Sequence, residues 1–439
     1  MAEVFARRSP RAIALGLGAL LLVAGCSTGG TTSTTASSTD VTVWTAWGGQ
    51  ELTAYQKVLK PFQDSTGIKV HLITIRDSAT QLSINVAAGT SLPDIAPGPT
   101  VDKVSDWAKK GIMKPLETFM EGKMSDYLAN TYSSLTSPSA PNPLWIGIVN
   151  GKHYELMVKT QVKGLIWYNK KVFTGTPPKT FDEMLAIQPP SGAKLFCAGL
   201  ESGSASGWPA SDQIDNIIMR QSGEKIYTDW IAGKVKFSSP EIKLGYQTYL
   251  KEVSTANVYG GPSYVLATNF GKAGKPLFSS PPGCLFLEQA TFITNFFTQD
   301  YPNLQAGSDF AFFPHPSINP QYDGNVNGFW DNFAMYNDTP AARKLMQYMA
   351  TKDAQQVWVD QGGTLAANKL VTKYPDPIFQ QASTIVGGAK NVLVTAGDFM
   401  PADMQAAFWK SLLDATNNPS QLDSILAHLD QVQQAAYAS

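Results

Sequence analysis

From residue 40 onward the hydrophobic pattern switches repeatedly between a two-residue and a 3.6-residue period, and this alternation restricts the fold more than any other feature. Asp40-Val41-Thr42-Val43-Trp44 alternates polar and apolar as a strand does; Gly48-Gly49 interrupts it, and Leu52, Tyr55, Val58, Leu59 and Phe62 follow at helical spacing. Gly67 is a stop signal, residues 68–75 read as a second strand, 81–88 as a second helix, and Pro93-Asp94-Ile95-Ala96 as a third short strand. Strands alternating with helices predict a parallel sheet covered by helices. The pattern restarts after Gly151, with aromatic-rich strand candidates at 164–168 and 195–198, so a second α/β unit is expected. The last third reads mainly helical, for example over 340–349 and 420–436. A ligand cleft between two such units is the expected site, because pockets form at domain interfaces and at the carboxyl ends of parallel strands.

The first 40 residues have a different character. Arg7, Arg8 and Arg11 precede an uncharged run from Ala12 to Ala24, too short to span a bilayer and laid out as an export signal. The run ends Leu22-Val23-Ala24-Gly25-Cys26, which resembles the bacterial lipoprotein box, and this implies a signal peptide over 1–25 with Cys26 lipidated as the mature N-terminus. Ser27 to Thr39 is almost wholly Ser, Thr, Gly and Ala, so residues 26–40 are expected to form a flexible tether. The remaining cysteines, Cys197 and Cys284, then sit in a compartment that permits disulfides and are expected to pair; two buried free thiols are the alternative.

Charge and motifs narrow the function by exclusion. With 34 basic and 35 acidic residues the net charge is -1, which supplies no positive field for nucleic acid. The four histidines, His71, His153, His315 and His428, are scattered and show no paired metal-ligand spacing, so no metal and no cofactor are expected. Gly203-Ser204-Ala205-Ser206-Gly207 has Ala205 where a nucleophile elbow needs Ser, and the sequence has no phosphate-binding Gly loop. An acid pair such as Glu201 and Glu288 could serve a glycosidase only at the right separation. The chain is therefore not read as an enzyme.

Several segments resemble the extracellular solute-binding proteins that serve carbohydrate ABC importers. The most specific is Gly164-Leu165-Ile166-Trp167-Tyr168-Asn169-Lys170-Lys171-Val172-Phe173 followed by Pro177-Pro178-Lys179-Thr180-Phe181-Asp182-Glu183-Met184, in which Thr180 and Glu183 also form a capping-box pattern. Lys60 to Val70 and Leu92-Pro93-Asp94-Ile95 are similar to first-lobe patterns. Cys197 to Gly203 with Gly207-Trp208-Pro209, Pro281-Pro282-Gly283-Cys284, and Gln289 to Ile293 most resemble the alpha-glucoside-binding branch, in which the two cysteines recur as a pair; Trp330 in Asn327-Gly328-Phe329-Trp330-Asp331 departs from that branch.

The resemblance implies a periplasmic-binding-protein-like α/β fold, with two α/β lobes joined by a three-segment hinge around a ligand cleft. Crossings near Thr160, Asn327 and Tyr374 put residues 41–160 plus 328–373 in the first lobe and 161–327 plus 374–439 in the second. It also implies a monomer, anchored as a lipoprotein on the outer face of the cytoplasmic membrane, that touches the membrane only through its lipid and hands an alpha-glucoside or related oligosaccharide to permease subunits. The alternatives are a non-sugar solute such as a glycerol phosphodiester, with Lys163 or Arg220 as its cations, and an exported glycoside hydrolase.

A sugar presents a flat patch of C–H groups rimmed by hydroxyls, so aromatic faces and planar polar side chains are its natural partners. Trp47 beside Gly48-Gly49 is one candidate, with Gln50 and Glu51 as hydroxyl partners and core packing as its rival role. Trp208, between Gly207 and Pro209, and Trp330, followed by Asp331, lie in loop-like contexts. Trp409 matches a stacking position in maltose-binding relatives, although its spacing from Met404 and Leu412 also fits a buried helix face. Glu288-Gln289 ends a strand-like run and is expected to recognise hydroxyls; Asp331 and Asp403 are weaker candidates of the same type.

Overall fold

The computed structural model describes residues 39–75, 77–132 and 146–438. The segment holding Cys26, the export signal and nearly all of the tether lies outside the described residues. The strands are β1 (Asp40–Thr45), β2 (Lys69–Thr74), β3 (Ile95–Ala96), β4 (Ile148–Val149), β5 (Lys152–His153), β6 (Leu156–Val162) and β7 (Leu165–Asn169). They continue with β8 (Lys194–Cys197), β9 (Cys284–Gln289), β10 (Phe310–Pro314), β11 (Asn325–Met335), β12 (Leu365–Ala366) and β13 (Asn391–Leu393).

Two larger sheets hold eleven of these strands, with helices on both faces of each, and β4 and β5 pair with each other in a small separate sheet. The larger runs β12-β6-β11-β3-β1-β2, with β13 paired to the start of β11. In β1, Val41 and Val43 pack with Tyr55, Val58 and Phe62 of the helix Gly49–Thr66 and with Leu345 and Met346 of the helix Pro340–Met349. Trp44 points the other way, to Leu82, Val104 and Trp107 on the helices Ser78–Ala88 and Val101–Lys109. The smaller sheet runs β10-β7-β9-β8. Ile166 and Phe286 face Ile214 and Ile217 of the helix Trp208–Ile231, whereas Trp167 and Leu287 face Phe297 on the opposite side. Alternation along each strand thus feeds two separate cores.

The expectation of parallel sheets is only partly met. β1 is parallel to β2 and β3, and β8 to β9, but β7 is antiparallel to both of its neighbours and β11 is antiparallel to β3 and β6. The cause is the path of the chain. β11 follows β10 of the other sheet, so it enters without the helical crossover that parallel neighbours require. The chain also leaves β6 for β7 through Lys163-Gly164 alone. Gly164 has φ +68°, and a Cβ there would lie 2.1 Å from the Asn216 side chain, so only glycine makes this passage.

Local signals are realised as read. Gly67 ends the first helix in the left-handed conformation, and Thr180 and Glu183 form the capping box. Cys197 and Cys284 are joined by a disulfide between the adjacent strands β8 and β9, with their Cα atoms 5.6 Å apart. Among the described residues no helix is long and apolar enough to cross a membrane.

The bridge closes a loop across 87 positions, so replacing both cysteines by alanine is expected to lower unfolding stability by up to about 4 kcal/mol. Thiol titration of denatured residues 40–439 should find no free sulfhydryl; two titrating thiols would contradict the bond.

Candidate functional site

A cavity of about 590 Å³ opens between elements of the two sheets and lies within the usual size range of small-molecule clefts, roughly 300–1,000 Å³. One wall begins where β1 ends. The Thr45 hydroxyl accepts the Trp47 N–H at 3.2 Å, and Gly48-Gly49 then turn the chain into the helix whose first turn carries Gln50 and Glu51. Glu51 gains from the positive end of the helix dipole. The opposing wall begins at Gly207, which has φ +102° and whose Cβ would come within 2.4 Å of the Trp409 carbonyl oxygen. That close approach seats Trp208, Ser211 and Asp212 of one helix beside Trp409 of another, and all four side chains line the cavity.

Strand β6 brings two lysines to the site. Lys159, with its side chain 2% exposed, has its ammonium 3.1 Å from Glu51 Oε1 and 3.4 Å from Asp331 Oδ2. Asp331 stands opposite Lys159 in the β11 register. The same ammonium lies 4.5 Å from the Trp47 ring centroid, a cation–π distance. Lys163, just beyond the strand, donates to Asp212 Oδ1 at 2.7 Å, and Asp398 Oδ2 is 3.8 Å away.

Burial works against both ammonium groups, but the fields of Asp331 and Glu51 on Lys159, and of Asp212 and Asp398 on Lys163, carry both pKa values above the ordinary lysine range. Burial also raises Asp212, to about 6, against the pull of Lys163, and raises Asp331 and Asp398. Each ammonium is thus met by two carboxylates; Lys163 lines this cavity, and Lys159 lines a smaller one that shares Gln50, Glu51 and Asn295 with it.

Aromatic faces supply the rest of the lining: Trp47, Trp208, Trp409, Phe270, Phe292 and Phe329. Trp47 also packs edge-on against Tyr55, Phe333 and Trp358, with ring centroids 5.0, 5.5 and 4.9 Å away, so its core role and its cavity role coexist. Several buried polar atoms at the site have no hydrogen-bond partner among the described residues, notably Asp212 Oδ2 and Trp409 Nε1. Such atoms are costly unless something satisfies them.

The structure thus gathers Trp47, Gln50, Glu51, Trp208, Asp331 and Trp409 around one cavity. Trp330 is buried and lines a smaller neighbouring cavity of about 230 Å³ that shares Trp47, Asp331 and Asp398. Glu288 and Gln289 are not in the lining, which corrects the sequence expectation. They lie on β9 inside the smaller sheet, where the Gln289 carbonyl accepts from Trp167 Nε1 at 2.9 Å and its side chain accepts the Ala290 N–H. Asp403 is exposed and also stands outside the lining. Arg220 is buried against the His315 carbonyl and Asn216. Sequence reading missed Lys159, Gln161, Asp212, Asp398 and the phenylalanines. A Lys-x-x-x-Lys pair on a strand otherwise buried was the one available signal for the lysines.

Residues 46–356 match the family described as bacterial extracellular solute-binding proteins, and the chain belongs to this family. It is 29% identical over 384 residues to the osmoprotective compounds-binding protein GgtB of Synechocystis, covering 85% of this chain and 88% of that one. It is 28% identical over 400 residues to the alpha-glucosides-binding periplasmic protein AglE of Rhizobium meliloti, covering 87% of this chain and 84% of the relative. Among solved structures, a chitin oligosaccharide binding protein superposes with a TM-score of 0.75 at 19% identity, over 92% of this chain and all of that one. That likeness shows the two-lobed α/β fold.

Lys159→Met is expected to cost about 3 kcal/mol, toward the low end for breaking a buried pair because Glu51 keeps some solvent contact. Adding Asp331→Asn should recover part of that loss, because a neutral amide leaves no unpaired charge; urea denaturation at pH 7 of the single and double variants measures it. Strictly additive losses would contradict the pairing.

Proposed function

Since the chain is a bacterial extracellular solute-binding protein, we propose that it captures a carbohydrate, an alpha-glucoside or related oligosaccharide, in the 590 Å³ cavity and passes it to the permease of an ABC importer. The observation that carries this reading is the pairing of aromatic faces with planar polar groups in one cleft whose lysine, Lys163, is already met by Asp212 and Asp398. Trp47, Trp208 and Trp409 offer C–H stacking surfaces, and Gln50, Glu51, Asp212 and Asp331 offer hydroxyl partners. A phosphodiester needs an unopposed cation. Lys159 and Lys163 each face two carboxylates, and Arg220 lies outside the lining, so a neutral solute suits the cavity better. The alpha-glucoside assignment draws on AglE.

Transport requires capture and release rather than chemistry, and the match to a family of solute-binding proteins favours a binding protein over a glycoside hydrolase. The proposed lobes are residues 41–160 with 328–373 and 161–327 with 374–439. A ligand touching Trp47 on one wall and Trp208 on the other favours the closed arrangement, because only contacts that differ between open and closed states shift their balance. Export through residues 1–25 and lipidation at Cys26 would hold the protein, as a monomer, at the outer face of the membrane. Trp330 shapes the adjoining small cavity, and its position beside Asp331 is proposed to set the size of sugar accepted.

Titration calorimetry of residues 40–439 against maltose, trehalose, sucrose, maltotriose and glycerophosphocholine tests the reading. Saturable binding of a neutral sugar is expected, weakened about tenfold or more by Trp208→Ala. Heat from glycerophosphocholine alone would overturn the substrate class.

A further inference from the structure

A second group of side chains, absent from the cavity lining, lies inside the smaller-sheet lobe. Glu252 ends the helix Pro240–Glu252, Glu288 lies on β9, and His315 follows β10. One ligand atom from each lies within 4.8 Å of the other two, and all three residues are buried. The His315 Nε2 is 4.0 Å from Glu252 Oε1 and 3.9 Å from Glu288 Oε2, too far for hydrogen bonds. All four carboxylate oxygens and this nitrogen lack a hydrogen-bond partner among the described residues.

Three observations show what would satisfy them. First, His315 Nδ1 lies 2.9 Å from the Pro316 carbonyl, which can only accept, so Nδ1 carries the proton and Nε2 presents a lone pair toward two carboxylates. A lone pair facing two anions is repulsive unless a cation sits between them, and a carbonyl-anchored imidazole is the usual arrangement of a metal-bound histidine. Second, the charge is incomplete: Arg220 is the nearest cation, but its bonds go to the His315 carbonyl and to Asn216, and Glu252 also lies at the negative end of a helix. Third, three atoms at these spacings share a centre roughly 2.1–2.5 Å from each, a small inward shift from zinc's ~2.0–2.2 Å bonds to imidazole and carboxylate.

We propose that Glu252, Glu288 and His315 form a buried binding site for one divalent transition-metal ion, zinc or manganese, separate from the sugar cavity. Two carboxylates neutralise a dication, and the mixed imidazole and carboxylate set suits these ions. Burial, and then Arg220, lowers His315 to about 3, which keeps the imidazole neutral and able to ligate; burial raises both glutamates, and at Glu288 the Glu252 carboxylate adds to the rise while Arg220 opposes it. The more distant Asp212 and Asp215 also raise Glu288, and they too favour a cation at the cluster. A surface cavity lined by Lys179, Arg220, His315 and Asp323 reaches one member of the cluster and offers an entry path. The ion would tie a helix end to β9 and to the chain leaving β10, stiffening the lobe that presents Trp208 and Asp212. Separations of 36 and 27 positions put the ligands beyond any local spacing motif.

The test uses the full chain, exported and purified without chelator. Elemental analysis and native mass spectrometry should find close to one zinc or manganese ion per chain. Removing it with dipicolinate should lower Tm by several degrees, and adding Zn²⁺ or Mn²⁺ back should restore it. His315→Gln and Glu252→Gln/Glu288→Gln should lose both the ion and the chelator response. Metal-free protein whose Tm ignores Zn²⁺ and Mn²⁺ would overturn the site, leaving a proton shared by the two glutamates. A response to Ca²⁺ alone would overturn it as well. The wild-type chelator cycle decides the matter even where a variant fails to fold.

Discussion

The burial of two lysine ammonium groups, one on β6 and one just beyond its end, is the constraint around which the rest is arranged. An ammonium removed from water is tolerated only when opposite charge meets it at close range. Lys159 therefore requires Glu51 to start its helix where it does and Asp331 to stand across from it on β11. Lys163 makes the same demand of Asp212 in the first turn and a half of a helix and of Asp398 near the C-terminal helices. Four chain segments remote in sequence are thus tied to one strand, and the tie points surround the cavity. What remains for a solute is a cleft with more carboxylates than cations and no unopposed positive charge, bordered by indole and phenyl faces. That is a favourable setting for a neutral, hydroxyl-rich molecule and a poor one for a free anion.

How much of this was legible depends on distance along the chain. The β1 strand, the helix after Gly48-Gly49, the stop at Gly67 and the Thr180 capping box are local, and sequence reading located them because propensity, period and caps agree there. Strand direction was not legible. The return of β11 from the other sheet is a matter of chain path, so the parallel expectation failed where the chain passes from one sheet to the other. Within the site, Trp47, Trp208 and Trp409 could be picked out from their glycine and helix contexts. Lys159 and Asp212 could not, because each looks like an ordinary surface charge until its partner, more than 45 positions away, is in place. Glu288 and Gln289 were misassigned for a related reason. Their strand was recognised, but β9 is interior to a sheet covered on both faces, so its polar tips turn toward other buried groups instead of the cleft.

Aromatic residues here serve two purposes that sequence reasoning treats as rivals. Trp47 is 7% exposed and locked by three edge-on neighbours, yet it contributes a face to the cavity and a π surface beneath Lys159. A binding surface anchored in the core is already ordered before a ligand arrives, so less conformational freedom is lost on capture. The Cys197–Cys284 bond acts in the same direction by holding β8 against β9 beneath the loop that leads to Trp208. Under the proposed function, short passages such as Lys163-Gly164 are where closure around a ligand would take place.

Hydrogen–deuterium exchange with and without a bound alpha-linked disaccharide tests the central claim most directly. The account predicts added protection in residues 45–53, 205–215 and 396–410 together, since these segments carry the two walls and the Asp398–Trp409 edge of one cavity. Binding that protects only the surface cavity around residues 177–179 and 323–325, or that leaves all three segments unchanged, would contradict it.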